Sequence, residues 1–450
     1  MKRTLITHAT IINEGSRYIA DVLIFKNRIE KIAPQIAAQP GWQIIDAEGL
    51  WLIPGMIDDQ VHFREPGLTH KGSIATESAA AVAGGITSFM EMPNVSPATT
   101  TRIALQDKFQ RAALHAQANH SFWFGATNDN LEELCSLRAD EACGVKVFMG
   151  ASTGNMLVDN EQVLDKIFQH APGIVATHCE HTPSVKSNEA LWRARFGEDI
   201  PAREHAHIRS VEACLLSSSL AVSLAKKYGT RLHVLHITTA DELRLFEAAP
   251  TLEALQKKTI TAEACIHHLF FNQDDYDVLG HQLKTNPSVK DVSHQQALWQ
   301  AVKDGVIDII ATDHAPHLFE EKQQPYLTAP AGVPLVQHAL PALFDLCHRG
   351  VFTPELIISK TSHAVAERFQ IKDRGYIREG YWADLVLIDP RKALHVSNDE
   401  VLYKCGWSPF AGKSLQGGLV VMTMVNGHIA WRDGHLIASP PGLPLEFYRH

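Results

Sequence analysis

The hydrophobic pattern at both ends of the chain predicts a small β unit. Short apolar runs there alternate with turn residues, and Asn426-Gly427 between two strand-like runs is a strong hairpin signal. The predicted strands are Thr4–Ile12, Asp21–Phe25 and Arg28–Ile32 near the start, then Ala383–Ile388, Leu419–Val425 and His428–Trp431 near the end. We expect the two ends to meet in one accessory β-sandwich.

The middle of the chain alternates strand-like and helix-like stretches. The eight predicted strands are Ile57–Phe63, Ile86–Met92, Ser121–Ala126, Val145–Met149, Ile174–His178, Leu232–His236, Thr259–Ala264 and Ile307–Ala311. Helix-like stretches such as Thr76–Ala83, Ala104–Ala116 and Val211–Tyr228 lie between them. Eight such units predict an α/β protein with a closed (β/α)8 TIM barrel over residues 55–370, flanked by residues 1–54 and 371–450 of the β-sandwich.

Composition and charge narrow the class of protein. The chain has 450 residues, of which 45% are hydrophobic, and a formal net charge of −9. That charge disfavours a nucleic acid or an anionic membrane as the main partner. The seven cysteines are scattered without a C-x-x-C pair, which fits a reducing compartment. Since no signal peptide or long apolar run is evident, we expect a cytoplasmic protein.

Polar and metal-capable residues lie at the ends of the predicted strands, where barrel enzymes keep their active sites. On the first strand, Asp58, Gln60, His62 and Arg64 share one face, because strand side chains alternate. An isolated polar strand end is more often a hydrated surface than a site. Here the same kinds of residue recur on successive strands, which favours a site.

The other strands carry matching side chains. Asn94 follows the second strand, Lys146 lies within the fourth, His178 and His236 end the fifth and sixth, and Asp313 follows the eighth. Imidazole and carboxylate groups without cysteine suit zinc or another borderline divalent ion. A lysine in an apolar run is costly to bury charged, so Lys146 is snorkelling, paired or modified. Asp313 can accept a proton from an activated water.

Several motifs resemble those of the amidohydrolase superfamily and, within it, of dihydroorotases. They are Val61-His62-Phe63-Arg64-Glu65-Pro66-Gly67, Met92-Pro93-Asn94, Lys284-Thr285-Asn286-Pro287, Thr312-Asp313-His314-Ala315-Pro316-His317 and Gly332-Val333-Pro334. The matching region runs from Pro54 to Pro390. The resemblance implies a zinc-dependent cyclic amide hydrolase that interconverts dihydroorotate and N-carbamoyl-aspartate in pyrimidine biosynthesis, and it suggests a homodimer.

The same resemblance implies roles for individual residues. The metal ligands would be His62, Lys146, His178, His236 and Asp313, with Lys146 carboxylated by CO2 and bridging two ions. Asp313 would also be the general base. The substrate carboxylate would contact Arg64, Asn94 and His317, and the ring would contact Asn286, Ala331 and Gly332.

The chain departs from the family pattern at one ligand. The family usually has His-x-His on the first strand, whereas this chain has Gln60-Val61-His62. A neutral amide oxygen is a poorer zinc ligand than an imidazole nitrogen. We therefore expect one tightly held zinc and a second, partly occupied site. Lys146 itself resembles the hydantoinase and dihydropyrimidinase branch, since many dihydroorotases have Asp there.

Two alternatives remain open. A hydantoinase, dihydropyrimidinase or allantoinase would share the fold, but Arg64 would then have no substrate carboxylate to bind. A catalytically silent, dihydroorotase-like scaffold subunit would account for Gln60 but not for the retained metal-capable residues.

The segment His317–Pro334 is interpreted as a loop, either an ordinary exposed one or one that closes over substrate. His205 is interpreted as a surface residue.

Overall fold

The structure is a computed structural model that describes residues 3–152 and 154–449. The strands are β1 (Thr4–Asn13), β2 (Ser16–Phe25), β3 (Arg28–Ala33), β4 (Gln43–Asp46), β5 (Trp51–Pro54), β6 (Met56–Val61), β7 (Ile86–Glu91), β8 (Asn119–Gly125), β9 (Gly144–Phe148), β10 (Ile174–His178), β11 (Arg231–Val234), β12 (Ile260–Cys265), β13 (Ile309–Ala311), β14 (Leu385–Asp389), β15 (Leu394–His395), β16 (Ser414–Leu415), β17 (Leu419–Val425), β18 (His428–Arg432) and β19 (His435–Leu436). The α-helices are α1 (Ile74–Ala83), α2 (Arg102–His115), α3 (Leu131–Cys135), α4 (Glu161–His170), α5 (Thr182–Phe196), α6 (His205–Ile208), α7 (Val211–Tyr228), α8 (Leu252–Lys257), α9 (Ile266–Phe270), α10 (Tyr276–Leu279), α11 (Val292–Asp304), α12 (Phe319–Lys322), α13 (Ala339–His348), α14 (Pro354–Ile358) and α15 (Ala364–Phe369).

Strands β6 to β13 form one parallel sheet in sequence order that closes into a barrel. The barrel is closed by contacts between β6, its first strand, and the residues that follow β13, its last strand. Val61 forms a parallel bridge with His314, and the His62 N–H donates to the His314 carbonyl over 2.7 Å. The predicted (β/α)8 barrel is confirmed, and each of its eight predicted strands overlaps an observed one.

The ends of the barrel strands differ from the prediction by at most two residues. β10 has the predicted bounds, whereas β11 ends at Val234, two residues before the predicted end. His236 has a φ of 39°, and its N–H donates to the Glu263 carboxylate over 3.1 Å. The backbone therefore leaves the strand ladder before it reaches His236.

A second sheet combines both ends of the chain, in the order β19-β18-β17-β14-β5-β1-β2-β3 with β4 paired to β1. It surrounds a core of its own that includes Ile6, Val22, Leu52, Leu385 and Met424. The β unit predicted from both ends is therefore confirmed. Its strands are joined in one continuous hydrogen-bonded sheet, because β14 pairs with β5.

Four two-residue turns set the register of this β unit, at Glu14-Gly15, Lys26-Asn27, Asn426-Gly427 and Asp433-Gly434. Glu14-Gly15 connects β1 to β2 with φ values of 52° and 72°, and Asn426-Gly427 connects β17 to β18 with 50° and 76°. Positive φ at both positions defines the type I′ turn that matches strand twist, and Asn-Gly adopts it at little cost. The predicted hairpin at Asn426-Gly427 is confirmed.

Helix α7 matches its predicted bounds, because both of its ends carry sequence signals. The Ser210 side chain accepts from the Ala213 N–H at the start, and Gly229 ends the helix with a φ of 69°. Among the described helices, none alone is long and apolar enough to cross a membrane. The bent pair of Ala202–Ile208 and Val211–Tyr228 passes that test jointly, by length and composition.

The last described residues return to the barrel. Leu443 and Leu445 exchange backbone hydrogen bonds with His120, which lies at the amino-terminal end of β8. Leu445 and Phe447 are buried in one cluster with Trp123. The tail therefore packs on the end of the barrel that is remote from the carboxyl ends of the strands.

Candidate active site

One cavity of about 400 Å³ lies at the carboxyl ends of the barrel strands. It is lined by every residue to which the sequence analysis gave a role: His62, Arg64, Asn94, Lys146, His178, His236, Asn286, Asp313, His317, Ala331 and Gly332. Gln60, Phe148, Ala151, Ala315 and Pro330 complete the lining. Residues from many separate strands and loops thus meet in one place. Asp58 does not reach the cavity, because its carboxylate accepts from the Thr312 hydroxyl over 2.6 Å.

His62 and Asp313 form the first pair of metal-capable groups. The Asn94 Oδ1 accepts from the His62 Nδ1 over 2.7 Å, which leaves a lone pair on Nε2. That Nε2 lies 3.1 Å from the Asp313 Oδ1. Burial lowers the pKa of His62 and so favours the neutral ring, in which Nε2 and the Asp313 oxygen are two electron-pair donors that face each other. A cation between them would stabilise this arrangement.

His178 and His236 form the second pair. Their Nδ1 and Nε2 atoms, respectively, lie 2.9 Å apart. The other nitrogen of His178 lies 2.7 Å from Glu180, which also accepts from Arg209 over 2.6 Å. Burial alone would raise the pKa of Glu180, but the Arg209 charge and the His178 N–H outweigh it and lower it to about 2. An ionised carboxylate that fixes the ring tautomer is the usual support of a histidine ligand.

Lys146 lies at the floor of the same cavity with its side chain 1% exposed. Its Nζ lies 4.6 Å from the centre of the Phe148 ring. Among the described residues, none makes a hydrogen bond or ion pair with this Nζ. Burial lowers the pKa of Lys146 to about 8.

The orientation of Gln60 differs from that of a metal ligand. Its Nε2 donates to the Asp313 Oδ1 over 3.1 Å. Its Oε1, the atom able to bind a metal, lies 3.6 Å from the Cys265 thiol, which donates to it. Gln60 is thus a hydrogen-bond donor to Asp313 in this structure.

The donor set fits a divalent cation. Two ligands of one tetrahedral zinc, each bound at about 2.1 Å, lie roughly 3.4 Å apart. The separations of 3.1 Å for His62–Asp313 and 2.9 Å for His178–His236 are slightly shorter. Imidazole and carboxylate donors with an orienting Glu180 are the chemistry that zinc prefers.

Arg64 supplies a positive charge to the cavity in addition to that of the unmodified Lys146. It is buried, its Nε donates to the Pro316 carbonyl over 3.1 Å, and one terminal nitrogen lies 3.0 Å from the His317 Nε2. Burial lowers the pKa of the guanidinium only to about 10, so it stays charged at neutral pH. Among the described residues, no carboxylate pairs with it. A buried guanidinium without a counter-ion favours an anionic ligand.

His317 is held on both sides by the protein. Lys71 lies 3.0 Å from its Nδ1 and also pairs with Glu321 of α12. The His317 Nε2 donates to the Ala331 carbonyl over 3.0 Å. The ring is therefore fixed between the loop after β6 and the loop after β13.

The loop after β13 is tied down by a buried lysine. The Lys322 Nζ donates to the carbonyls of Lys284, Pro330 and Gly332 over 2.8–2.9 Å. Gly332 has a φ of 138°, and a Cβ there would lie 2.6 Å from the Ala315 carbonyl oxygen. Asn286 lies opposite, and its buried Oδ1 has no hydrogen-bond partner among the described residues.

The backbone is strained at four non-glycine positions of the cavity lining, one of which is Ala151 with a φ of 51°. The other three carry functional groups. Arg64, His236 and Asp313 have φ values of 72°, 39° and 51°. Residues other than glycine rarely adopt positive φ, and such strain concentrates at functional sites. All three carry side chains that line the cavity.

Several supporting residues were not found from the sequence. Glu180, Arg209 and Lys71 act through contacts between distant parts of the chain, and only the proximity of Glu180 to His178 gave a signal. His205 was wrongly interpreted as a surface residue. It is buried, and it bonds the Tyr326 hydroxyl and the Thr285 carbonyl, both at 2.7 Å.

Comparison with known proteins identifies the family of this chain. The model of the amidohydrolase family matches residues 51–430. A dihydroorotase of Halobacterium salinarum is 32% identical over 94% of this chain and 96% of its own. A dihydroorotase of Carboxydothermus hydrogenoformans is likewise 32% identical over 94% and 96%.

Solved structures share the fold. The L-hydantoinase of Arthrobacter aurescens superposes with a TM-score of 0.92 over 99% of this chain and 100% of its own, at 24% identity. The relatives and the family model together cover the barrel and most of the terminal β unit. The chain therefore belongs to the amidohydrolase family and, within it, to the dihydroorotases.

Proposed function

We propose that the protein is a zinc-dependent dihydroorotase. It would catalyse the reversible hydrolysis of (S)-dihydroorotate to N-carbamoyl-L-aspartate in de novo pyrimidine (UMP) biosynthesis. The observation that carries this proposal is the buried, unpaired Arg64 guanidinium in the same cavity as the metal-capable side chains. Dihydroorotate offers a carboxylate beside a cyclic amide, which matches this combination. The names of the relatives support the same substrate.

The metal ligands of the proposal are His62 and Asp313 for one ion and His178 and His236 for the other, with Lys146 between them. Lys146 would be carboxylated by CO2, because the bare side chain has no anionic partner and would repel cations. Gln60 contributes its N–H to Asp313 rather than an oxygen to a metal. We therefore propose one tight zinc site and a second, partly occupied one.

A divalent ion held there would polarise the ring carbonyl and ease the ionisation of water. Asp313 takes the proton of the attacking water and passes it to the leaving ring nitrogen. The substrate carboxylate is held by Arg64, Asn94 and His317, and the ring by Asn286 and the backbone at Ala331 and Gly332. These contacts hold the amide carbon next to the attacking water.

The test compares turnover of dihydroorotate with that of hydantoin and dihydrouracil. We expect turnover of dihydroorotate, with ring opening favoured at alkaline pH and ring closure at lower pH. Arg64→Ala should cost about 2–5 kcal/mol, or on the order of 10²–10³ in kcat/KM. The exposed Arg138→Ala is the matched control. An unchanged kcat/KM in Arg64→Ala would contradict the carboxylate assignment. Preferential turnover of hydantoin would favour the hydantoinase alternative. The absence of turnover with all three substrates would favour the catalytically silent scaffold.

We also propose a cytoplasmic homodimer whose domains divide near residues 54/55 and 370/371. The first division is supported by the change of sheet between β5 and β6, and the second by the end of α15 at Phe369. Light scattering of the purified protein tests the dimer.

A further inference from the structure

A second cluster of metal-capable side chains lies inside the barrel. It consists of Asp59 on β6, His233 on β11 and Glu263 on β12, all with no exposed surface. One ligand atom from each lies within 4.8 Å of the others. None of the three lines the active-site cavity. The cluster is therefore distinct from the residues that would hold the catalytic ions.

Hydrogen bonds fix the tautomer of His233. The Thr261 hydroxyl donates to the Leu232 carbonyl over 3.3 Å, so its oxygen is free to accept. The His233 Nδ1 lies 2.8 Å from that oxygen and donates to it. Burial alone would lower the pKa of His233, but the hydrogen bonds and charges of Asp59 and Glu263 outweigh it and raise the pKa. A divalent ion that displaced the Nε2 proton would find a lone pair there. This Nε2 lies 3.2 Å from the Asp59 Oδ2 and 3.3 Å from the Glu263 Oε2.

Two carboxylates lie close together in this cluster at a cost, because burial and the charge of Asp59 raise the pKa of Glu263 to about 7. Neither oxygen of the Asp59 carboxylate accepts a hydrogen bond from the described residues, although the group is sealed from water. The positive charge of Arg368 lies nearby. One of its terminal nitrogens, however, donates its hydrogen bonds to the carbonyls of Leu232 and Thr259. A buried carboxylate without a partner is strongly unfavourable.

A divalent cation would resolve both features. Two carboxylates and a neutral imidazole carry a charge of −2, which one divalent ion neutralises. The separations of 3.2 Å and 3.3 Å are close to the roughly 3.4 Å between ligands of a tetrahedral zinc. Asp59 can supply both oxygens, which gives four donor atoms from three residues. A proton on His233 would instead leave a charge of −1, and the ring N–H would be directed at Glu263 rather than Asp59.

We propose that Asp59, His233 and Glu263 bind a structural zinc, or a similar first-row divalent ion, beneath the active site. The other oxygen of Glu263 accepts the His236 backbone N–H over 3.1 Å. The ion would thus fix the carboxylate that supports His236 in its strained conformation. This proposal goes beyond the catalytic function and does not depend on it.

Metal analysis after prolonged dialysis against EDTA tests the proposal, because a sealed ion should resist chelation while ions in the open cavity are removed. We expect one zinc per chain to remain in the natural protein and none in the isosteric Asp59→Asn variant. His178→Ala, which removes a ligand of the cavity, should keep that zinc. Equal zinc retention in the natural protein and a folded Asp59→Asn, or no retention in either, would overturn the proposal.

Anomalous diffraction at the zinc edge decides the question without any variant, should Asp59→Asn fail to fold. Crystals of the natural protein should show a peak within bonding distance of Asp59, His233 and Glu263. Ordered side chains without a peak would mean that a protonated His233 bridges the carboxylates, and the structural ion would be ruled out.

Discussion

The hydrogen-bond partners of the Gln60 amide nitrogen and oxygen decide what this residue can contribute to a metal site. Its nitrogen donates to Asp313 while its oxygen accepts from Cys265. A histidine at this position would instead direct a ring nitrogen towards His62 and Asp313. The amide thus stabilises the Asp313 carboxylate by a hydrogen bond. In a site with a second cation, that cation would stabilise the carboxylate instead.

Gln60→His should therefore increase zinc binding. We expect the variant to retain close to one more zinc per chain than the natural protein after dialysis, because imidazole binds zinc better than an amide. Plasma mass spectrometry measures the gain, and the exposed Gln39→His is the matched control. If Gln60→His retains no additional zinc, position 60 does not limit the first metal site.

Lys146 should carry one molecule of CO2. A carbamate is anionic and offers two oxygens, whereas an ammonium would repel two cations. Native mass spectrometry of protein purified in bicarbonate should show the mass of one CO2, absent from Lys146→Met. A bare amine in electron density with both ions bound would rule out the modification.

At the scale of elements, the sequence predicted the strands and long helices well, because period and caps are local signals. Strand β10 and helix α7 matched their predicted bounds. The end of β11 did not, since the turn at His236 depends on Glu263, 27 positions away. The same reason explains why Lys71 and His205 were missed: both act on loops distant in sequence, and no local pattern encodes such pairs.

The segment His317–Pro334 also owes its structure to more than a local sequence pattern. It contains α12 and is held by the Lys322 hydrogen bonds. Lys322→Met removes three hydrogen bonds, two of which hold the backbone at Pro330 and Gly332. We expect KM for dihydroorotate to rise about tenfold, for a loss of roughly 1–2 kcal/mol in binding, with a smaller change in kcat. The exposed Lys303→Met should leave both constants unchanged. A drop in kcat alone would argue against a positioning role.

At the scale of the whole molecule, the sequence predicted the residues that meet in the cavity, since barrel topology brings strand ends together. It did not predict that the tail would pack against the opposite end of the barrel, because that contact joins Leu445 to His120 across most of the chain. Packing of this kind depends on the finished surface rather than on either segment alone.

Leu445→Ala should measure the contribution of the tail. The side chain is 6% exposed in the cluster that holds Trp123. We expect a loss of about 2–5 kcal/mol in the free energy of unfolding, as for other buried leucines. Leu436→Ala, at 43% exposed, is the control and should change stability little. Equal denaturation midpoints for the two variants would mean that the tail is not part of the core.

The positive φ values of Arg64, His236 and Asp313 have a consequence for evolution. Glycine would relax the backbone at each of these positions and make the folded chain more stable, yet each such change removes a group that lines the cavity. Heat tolerance and turnover therefore select in opposite directions there. Lineages that keep the fold after losing the reaction should accumulate glycine or asparagine at these three sites first, and a library screened for thermal survival alone should show the same enrichment.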